Sequence, residues 1–416
     1  MLLIFCAYLP FQFALNPSVG IDLASSRVFI LLLFFVWLAE SLKKRKLFLQ
    51  NSQVNFFLVC FLFLNLVSLA VAKNTDWSLR KLLFLFSVFP LYFVSSQLID
   101  TKEKMEKVLR YLVWGGFFVA MLGIVQFIAQ FIFGLDATYH FWASHISPLF
   151  LGENVTAAVL KNPSWLVNIS GKTYLRAIAT FPDPHMLSFF LGMLLPFALG
   201  LFLKLKNKKY LVIFFILLLT DLLTFSRGGY LGLFVAAIGT LLVLLDKLEK
   251  KHKLSIIAGA VFLGSFLLIP GPIAERFFSS FNWKEGSNQG RIETWKKAGE
   301  IISEHPLLGV GIGNYPLEIS ATASYRDPIY AHSNYLDIAA ETGLVSLFLW
   351  LGFLGSLIGV FFRRAKDSLF FCAMLSVVIF CGHSLVETSI YSPTVLALFL
   401  IIASLSRFAA QNEKTI

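Results

Sequence analysis

The chain has 416 residues, of which 57% are hydrophobic and only 14% are charged, and its mean hydropathy is +0.75. Soluble globular proteins carry about 25% charged residues, and disordered chains combine low hydrophobicity with high charge, so this composition excludes both classes. The net charge of +11 would suggest nucleic acid as the partner of a soluble protein. The apolar composition instead predicts an all-α polytopic membrane protein, for which we expect no nucleic-acid partner.

Twelve stretches have the apolar character of a membrane-spanning helix, which needs about 20 residues. In chain order they are 2–19, 24–41, 54–72, 81–99, 111–133, 185–203, 210–226, 229–246, 254–272, 334–362, 368–387 and 390–407. The first is short and is interrupted by Pro10. Only Arg227 and Gly228 separate the seventh from the eighth, so these two form either a tight helical hairpin or one broken helix.

Basic residues are concentrated in alternate connections between the spans. Five connections hold nineteen lysines and arginines, at 43–46, 102–110, 204–209, 247–253 and 363–366. Cytoplasmic loops of membrane proteins carry an excess of these residues. Placing all five on the cytoplasmic side is consistent with twelve spans and puts both termini in the cytoplasm.

Two outward connections are long, at 134–184 and 273–333, and both are rich in aromatic residues, glycine and proline. Connections of more than about 12–15 residues are usually functional or disordered, and the aromatic content argues against disorder. We therefore predict folded extracytoplasmic segments. The resulting organisation is spans 1–5 in 1–133, an outer loop in 134–184, spans 6–9 in 185–272, a large outer loop in 273–333, and spans 10–12 with a cytoplasmic tail in 334–416.

Arg227 lies between two apolar runs, in the sequence Ser226-Arg227-Gly228-Gly229. An arginine in the centre of a bilayer costs about 2.5–3.5 kcal/mol on insertion scales. One interpretation is that its side chain extends to the membrane interface. The other is that it projects from a helix break where the two glycines let an anionic ligand approach backbone N–H groups.

The second outer segment contains Gly290-Arg291, followed by Trp295 and by glycines at 309, 311 and 313. The three glycines superficially resemble a dinucleotide-binding motif, but no strand–helix unit follows them. We therefore predict a tight turn that packs on the membrane domain. Arg291 either pairs with a carboxylate such as Glu293 or binds an anion.

His332 precedes the span 334–362, whose 29 residues would form a helix of about 43 Å. Because the hydrocarbon core is about 30 Å thick, the first turns should rise above it and place His332 just outside the lipid. A histidine there can act as a general base near neutral pH, or it can have a structural role with Ser333 as the helix cap. Together with Arg227 and Arg291, it could hold an anionic head group and deprotonate a hydroxyl.

Further charged residues are candidates for supporting roles at the same outer face. Arg176, His185 and Arg326 could line the cleft, and Asp221, Asp337 and Glu341 could orient the arginines or the histidine. Asp337 and Glu341 are four residues apart and share one helix face, and structural pairing is the favoured interpretation for each of these carboxylates. The four cysteines lie in apolar runs without metal-ligand or redox spacing, so no metal or other cofactor is expected.

These motifs, in roughly 220–350, resemble the bacterial O-antigen ligase and O-antigen polymerase superfamily. The residues that carry the resemblance are Ser226-Arg227-Gly228-Gly229, Gly290-Arg291 with Trp295, the turn from Pro306 to Tyr315, and His332-Ser333-Asn334-Tyr335 with Glu341 and Gly343. The resemblance implies a GT-C-like membrane glycosyltransferase of the bacterial inner membrane whose active site faces the periplasm. Its donor would be a glycan on undecaprenyl diphosphate, and its activity would need no metal.

Within this resemblance, Arg227 and Arg291 match arginines that bind the donor diphosphate, and His332 matches the histidine that activates the acceptor. Ser333 departs from the asparagine that is common in the family. The acceptor would be a sugar hydroxyl of the lipid A core in a ligase, or another lipid-linked glycan in a polymerase, and no residue decides between them. A lipid-linked glycan transporter is the alternative from a different class. It is disfavoured because internal repeats and polar sites near the bilayer midplane are not evident, apart from Asp221.

Overall fold

The computed structural model describes residues 1–18, 21–44, 52–161, 163–247, 271–279, 286–325, 327 and 329–411. The helices are α1 Leu2–Tyr8, α2 Ser25–Lys43, α3 Gln53–Val67, α4 Thr75–Val88, α5 Pro90–Leu98, α6 Lys102–Phe133, α7 Leu135–Phe141, α8 Ser147–Leu151, α9 Glu153–Leu160, α10 Pro184–Leu205, α11 Lys208–Leu223, α12 Arg227–Lys247, α13 Pro272–Ser279, α14 Gly286–Glu304, α15 Tyr315–Ile319, α16 Asn334–Arg363, α17 Ser368–His383 and α18 Pro393–Gln411. The described residues also form two antiparallel hairpins. Strand β1 Ala14–Ser18 pairs with β2 Ile21–Ala24, and β3 Leu166–Ile169 pairs with β4 Lys172–Leu175.

The protein is a mainly helical membrane protein, as predicted. In the described ranges, six helical segments are long and apolar enough to cross a bilayer, namely Ser25–Lys43, Gln53–Val71, Thr75–Leu98, Lys102–Phe133, Pro184–Leu205 and Asn334–Arg363. Shorter apolar helices cover Leu2–Phe11, Arg227–Leu241, Ser368–His383 and Pro393–Ala409. The count of twelve stays a prediction, and its ninth span, 254–272, lies almost wholly outside the described residues.

The first predicted span, 2–19, is wrong in its second half. Helix α1 continues as a 3-10 turn to Phe11, and the chain then forms β1. Pro10 lacks an amide hydrogen and Pro17 would clash with a preceding helical turn, so both residues disfavour one continuous helix over 2–19. Strand β1 pairs with β2 instead, and the two hairpins also correct the expectation of a purely helical chain.

Helix α10 is the centre of the bundle. It packs against α6, α11, α12 and α17, and most of its side chains are buried. At its first turn, Asp183 accepts hydrogen bonds from the backbone N–H groups of His185 (2.8 Å) and Met186 (3.0 Å), the usual role of aspartate at a helix N-cap. The cap fixes the direction in which His185 leaves the helix.

The segment 134–184 is folded around aromatic side chains. Trp142 and Trp165 are buried, and their indole N–H groups donate to the carbonyl oxygens of Ala179 (2.8 Å) and Pro182 (2.8 Å). They pack with Leu175 and Ile178 in a small core of their own. This core anchors the chain that leads from β4 into α10.

Helix α16 is broken at Gly343, which corrects the prediction of one continuous helix over 334–362. Gly343 has φ 85° and ψ 168°, and the N–H of Leu344 donates to the carbonyl of Pro306 (2.8 Å) rather than within the helix. A Cβ on Gly343 would lie 1.9 Å from the carbonyl oxygen of Leu307. The break therefore exists because the loop before α15 inserts there.

The predicted turn at 309–313 is confirmed as a loop packed on the membrane helices. Its three glycines all have positive φ, between 64° and 91°. Gly309 lies against the backbone of α16, Gly311 lies against Ala72, and Gly313 lies against the backbone of Trp77. At Gly309 and Gly311 the neighbouring backbone leaves no room for a Cβ, and the positive φ favours glycine at all three positions.

Replacement of Gly343 by alanine is expected to destabilise the protein. A non-glycine residue in this backbone conformation costs about 1–3 kcal/mol, and the clash with Leu307 adds to that. Thermal stability in detergent, monitored by size-exclusion chromatography, measures the effect. Gly355→Ala is the matched control on the same helix, because a Cβ there meets nothing within 4 Å. A Gly343→Ala protein as stable as the control would contradict this account.

Candidate active site

A break between α11 and α12 presents Arg227. Helix α11 ends at Leu223, Phe225 has a positive φ of 49°, and α12 begins at Arg227. The hydroxyl of Ser226 accepts a hydrogen bond from the N–H of Gly229 (3.2 Å) and caps the new helix. Helix α12 packs mainly against α17, and α11 packs mainly against α10 and α6. The two helices therefore pack mainly on different neighbours rather than on each other.

The Arg227 guanidinium is directed at the second outer segment. It is only 6% exposed, and it donates to Asn288 Oδ1 on α14 (2.8 Å) and to Ser279 Oγ at the end of α13 (2.9 Å). Asn288 lies three residues before Arg291 on α14, so both share one helix face. These contacts favour the helix-break interpretation over extension to the lipid interface.

Three side chains from separate elements meet at the carboxylate of Glu387. Arg291 of α14 forms an ion pair with Oε1, and His185 Nε2 of α10 lies 3.6 Å from the same oxygen. The other oxygen, Oε2, lies 3.3 Å from Nδ1 of His332. Glu387 itself is 5% exposed. The structure therefore brings together three of the residues singled out in the sequence, around a fourth that was not.

The segment that carries Glu387 is held by the first turn of α16. Asn334 makes four side-chain hydrogen bonds to it, donating to the hydroxyls of Ser384 (2.7 Å) and Ser389 (3.1 Å) and accepting from the N–H groups of Ser389 (2.8 Å) and Ile390 (3.0 Å). A fully satisfied buried amide fixes its partners in one arrangement. The backbone on both sides of Glu387 is thereby positioned by the helix that follows His332.

Asp337 links the residue before His332 to the residue after Glu387. Its Oδ1 accepts from the N–H of Ala331 (2.8 Å), and its Oδ2 accepts from the hydroxyl of Thr388. His332 itself has a left-handed backbone with φ 50°, a conformation uncommon for a residue other than glycine. Asp337 thus holds the segment before His332 and the segment after Glu387, and it does not bond to His332 itself.

Glu341 lies in a different ion pair. Both of its oxygens accept from Lys81 Nζ (2.7 and 2.8 Å), and Tyr391 donates to it (2.9 Å). Lys81 Nζ also lies 3.6 Å from the centre of the Tyr391 ring. This buried group ties α4 to α16, so the structural interpretation describes the contacts of Glu341 better than a role in orienting His332.

Together, burial and neighbouring charges lower the pKa of Glu387 and raise the pKa of His332. Burial raises the pKa of Glu387, but His185, Arg291 and the hydrogen bond from His332 together hold it well below the ordinary value. Burial lowers the pKa of His332, but its hydrogen bond to Glu387 and the charge of that carboxylate outweigh burial and raise the pKa overall. Glu387 is therefore an anion at neutral pH. The His332 side chain is 43% exposed, so solutes can reach it.

The other supporting candidates differ in their contacts. Arg176 is buried and donates to the carbonyls of Thr224 (2.6 Å) and Ser164 (2.9 Å), which holds the α11–α12 break in place, and burial lowers its pKa to about 9. His185 also reaches the break, with Nδ1 at 2.9 Å from Ser226 Oγ. Asp221 is buried in α11 beside Ser188, and the described contacts do not join it to an arginine or to His332. Arg326 lies outside the described residues.

Sequence reasoning missed Glu387 and the role of Asn334. A signal for Glu387 was present, because a carboxylate inside an apolar run is costly and marks a functional or paired position. In the ranges that the structure describes, no three His, Cys, Asp or Glu side chains are grouped as metal ligands would be. Around Glu387 the structure joins two imidazoles to one guanidinium, that of Arg291, and a guanidinium is suited to phosphate oxygens.

Residues 211–351 match the family model described as O-antigen ligase. This match supports the predicted resemblance to the O-antigen ligase and polymerase superfamily. A comparison with curated proteins found no match. The matched ligase domain contains Arg227, Arg291 and His332, whereas His185 and Glu387 lie on either side of it in the sequence. The family implies that the substrates are lipid-linked glycans at a membrane.

Proposed function

We propose that this protein is an O-antigen ligase-type glycosyltransferase of the bacterial inner membrane, with a GT-C-like architecture and a periplasmic active site. It transfers a glycan from undecaprenyl diphosphate to a sugar hydroxyl of the lipid A core. The observation that carries the proposal is the meeting of Arg291 and His332 at Glu387, with Arg227 bonded to the helix that carries Arg291. A base and two guanidiniums are the groups that this reaction needs.

The proposed reaction is a single displacement at the anomeric carbon. His332 accepts the proton of the acceptor hydroxyl as its oxygen forms the new glycosidic bond, and the bond between the anomeric carbon and the diphosphate oxygen breaks. The electron pair of that bond leaves with undecaprenyl diphosphate, whose growing negative charge Arg227 and Arg291 stabilise. Attack from the face opposite the leaving group inverts the configuration of the anomeric carbon.

The contacts of the two arginines support a shared anion site. Arg227 reaches α14 through Asn288, and Arg291 leaves the same helix one turn later. The planar guanidinium of arginine can donate two hydrogen bonds to phosphate oxygens at the same time. Positive groups fixed in advance stabilise developing charge without reorganisation during the reaction, so the proposed chemistry needs no metal ion.

A polymerase is the closest alternative, because it uses the same donor and differs mainly in its acceptor. The long second outer segment, 273–333, favours the ligase. Reconstituted protein supplied with lipid-linked glycan and purified lipid A core is expected to produce capped lipid A, and the rate should be unchanged by EDTA. The reaction without lipid A core, containing only lipid-linked repeat units, is the matched comparison.

Each result of this assay has one interpretation. Longer glycans on the carrier, formed without lipid A core, would identify a polymerase. Movement of lipid-linked glycan across the liposome without a new glycosidic bond would identify a transporter. Loss of transfer in EDTA that is restored by added magnesium would contradict the role of the arginines as the charge partners of the diphosphate.

A further inference from the structure

The Glu387 carboxylate is shared between the two kinds of group that the proposed reaction needs. One oxygen, Oε1, pairs with Arg291, a proposed ligand of the donor diphosphate, and also lies 3.6 Å from His185. The other oxygen, Oε2, lies 3.3 Å from Nδ1 of the proposed base, His332. Whatever changes the charge near Arg291 therefore changes the field at His332 through one buried side chain.

The contact with Glu387 also selects which nitrogen of His332 can accept a proton. An ionised carboxylate only accepts hydrogen bonds, so Nδ1 of His332 must be the donor. In the neutral ring this leaves the lone pair on Nε2. Because Asn334 and Asp337 fix the backbone around both partners, the tautomer and the ring orientation are set before substrate arrives.

Arg291 and His332 compete for the charge of Glu387. A nearby positive group disfavours protonation of a histidine, and a nearby negative group favours it. In the donor-free protein, Arg291 offsets part of the attraction that Glu387 exerts on the proton of His332. A diphosphate bound at Arg291 would neutralise that positive charge and leave Glu387 to act on His332 alone.

We propose that Glu387 is a positioning residue that orients His332 and makes its strength as a base depend on whether the diphosphate site is occupied. This inference rests on the proposed function of the site. Its consequence is that, at a pH above the pKa of His332, the acceptor hydroxyl loses its proton more readily when the donor is bound. In such an enzyme the base is strongest when a sugar is in place.

Other charged and titratable groups around the pair must be considered in any titration. His332 faces Glu387, Arg291 and Asp337. Among the described residues, Glu387 also interacts electrostatically with Arg176, Asp183 and His383. These groups are common to the wild type and the variants below, so differences between proteins report the Glu387–His332 contact.

Proton uptake on binding tests the inference without requiring transfer. Undecaprenyl diphosphate is titrated into purified protein in detergent by calorimetry, in buffers of different ionisation enthalpy. If binding raises the pKa of His332, the wild type takes up more protons than His332→Ala, and its affinity for the diphosphate increases as the pH falls. Protons exchanged by the diphosphate itself are removed by this comparison.

In Glu387→Gln the additional proton uptake should disappear, so that this variant matches His332→Ala. Its maximal transfer rate should fall by about tenfold to a hundredfold, part of the 10²–10⁴-fold that a positioned base contributes. The acid limb of its pH–rate profile should move to lower pH. Glu318→Gln is the control, because Glu318 pairs with Lys73, whose side chain is 62% exposed, and it should behave as wild type.

Equal proton uptake by the wild type and His332→Ala would overturn the inference, and this comparison stands even if Glu387→Gln does not fold. Failure of the proposed function has a different signature. In that case undecaprenyl diphosphate would bind equally well to the wild type and to Arg291→Ala, and His332→Ala would transfer glycan normally.

Discussion

Replacement of His332 by alanine is expected to reduce glycan transfer by about 10²–10⁴-fold, the contribution of a positioned general base. Donor binding should persist, because alanine leaves Arg227 and Arg291 in place. The measurement is the maximal rate of transfer from undecaprenyl-diphosphate-linked glycan to lipid A core by reconstituted protein, together with the affinity for undecaprenyl diphosphate. A large fall in rate with a small change in affinity separates a chemical role from a binding role.

The matched control for this substitution is His305→Ala. His305 lies in the same outer segment and is exposed. Its backbone N–H and carbonyl bond to Ile301 and Gly309, and alanine keeps both groups, so the substitution should leave transfer unchanged. Transfer by His332→Ala at the rate of the control would remove His332 from the mechanism. The pH profile of the wild type provides a second check. Because Glu387 raises the pKa of His332, transfer should decline with falling pH from a value above the ordinary histidine pKa of about 6.5.

Local sequence was sufficient to predict those features of the backbone that depend on immediate neighbours. Arg227 follows a serine cap and precedes two glycines, and the structure starts a helix there. The glycines at 309, 311 and 313 predicted a close-packed turn, and each lies against backbone in the structure. In these cases the physical cause is within a few residues, so one sequence contains the necessary information.

Glu387 was not predicted because its partners are distant in the chain. It lies 55 residues after His332 and 96 residues after Arg291, and nothing in its own neighbourhood indicates which groups it meets. The break at Gly343 is similar, since it depends on the insertion of Leu307 from another loop. The apolar run through 334–362 indicated a helix over its whole length, because apolar periodicity does not report a carbonyl group inserted from elsewhere.

Replacement of Arg291 by alanine is expected to lower the maximal transfer rate by about 10²–10³-fold, the usual loss when one fixed group that stabilises transition-state charge is removed. The donor KM should also rise, because the ground-state diphosphate carries negative charge before the bond breaks. Arg291→Lys should fall between the two proteins, since lysine keeps the charge but lacks the planar set of donors. Transfer kinetics at varied donor concentration measure both effects.

The ion pair between Arg291 and Glu387 determines which controls are needed for the Arg291 variants. Removing it leaves Glu387 without its guanidinium, and a buried charge that loses a partner can destabilise a protein by about 3–5 kcal/mol, so thermal stability must be measured for each variant. Arg291→Lys retains a cation near Glu387 and therefore separates loss of diphosphate binding from loss of stability.

Lys297→Ala removes one positive charge from an exposed position on the same helix and should transfer normally. If Lys297→Ala were as impaired as Arg291→Ala, the effect would come from the general charge of α14. An impairment confined to Arg291 is what contact with the leaving diphosphate requires.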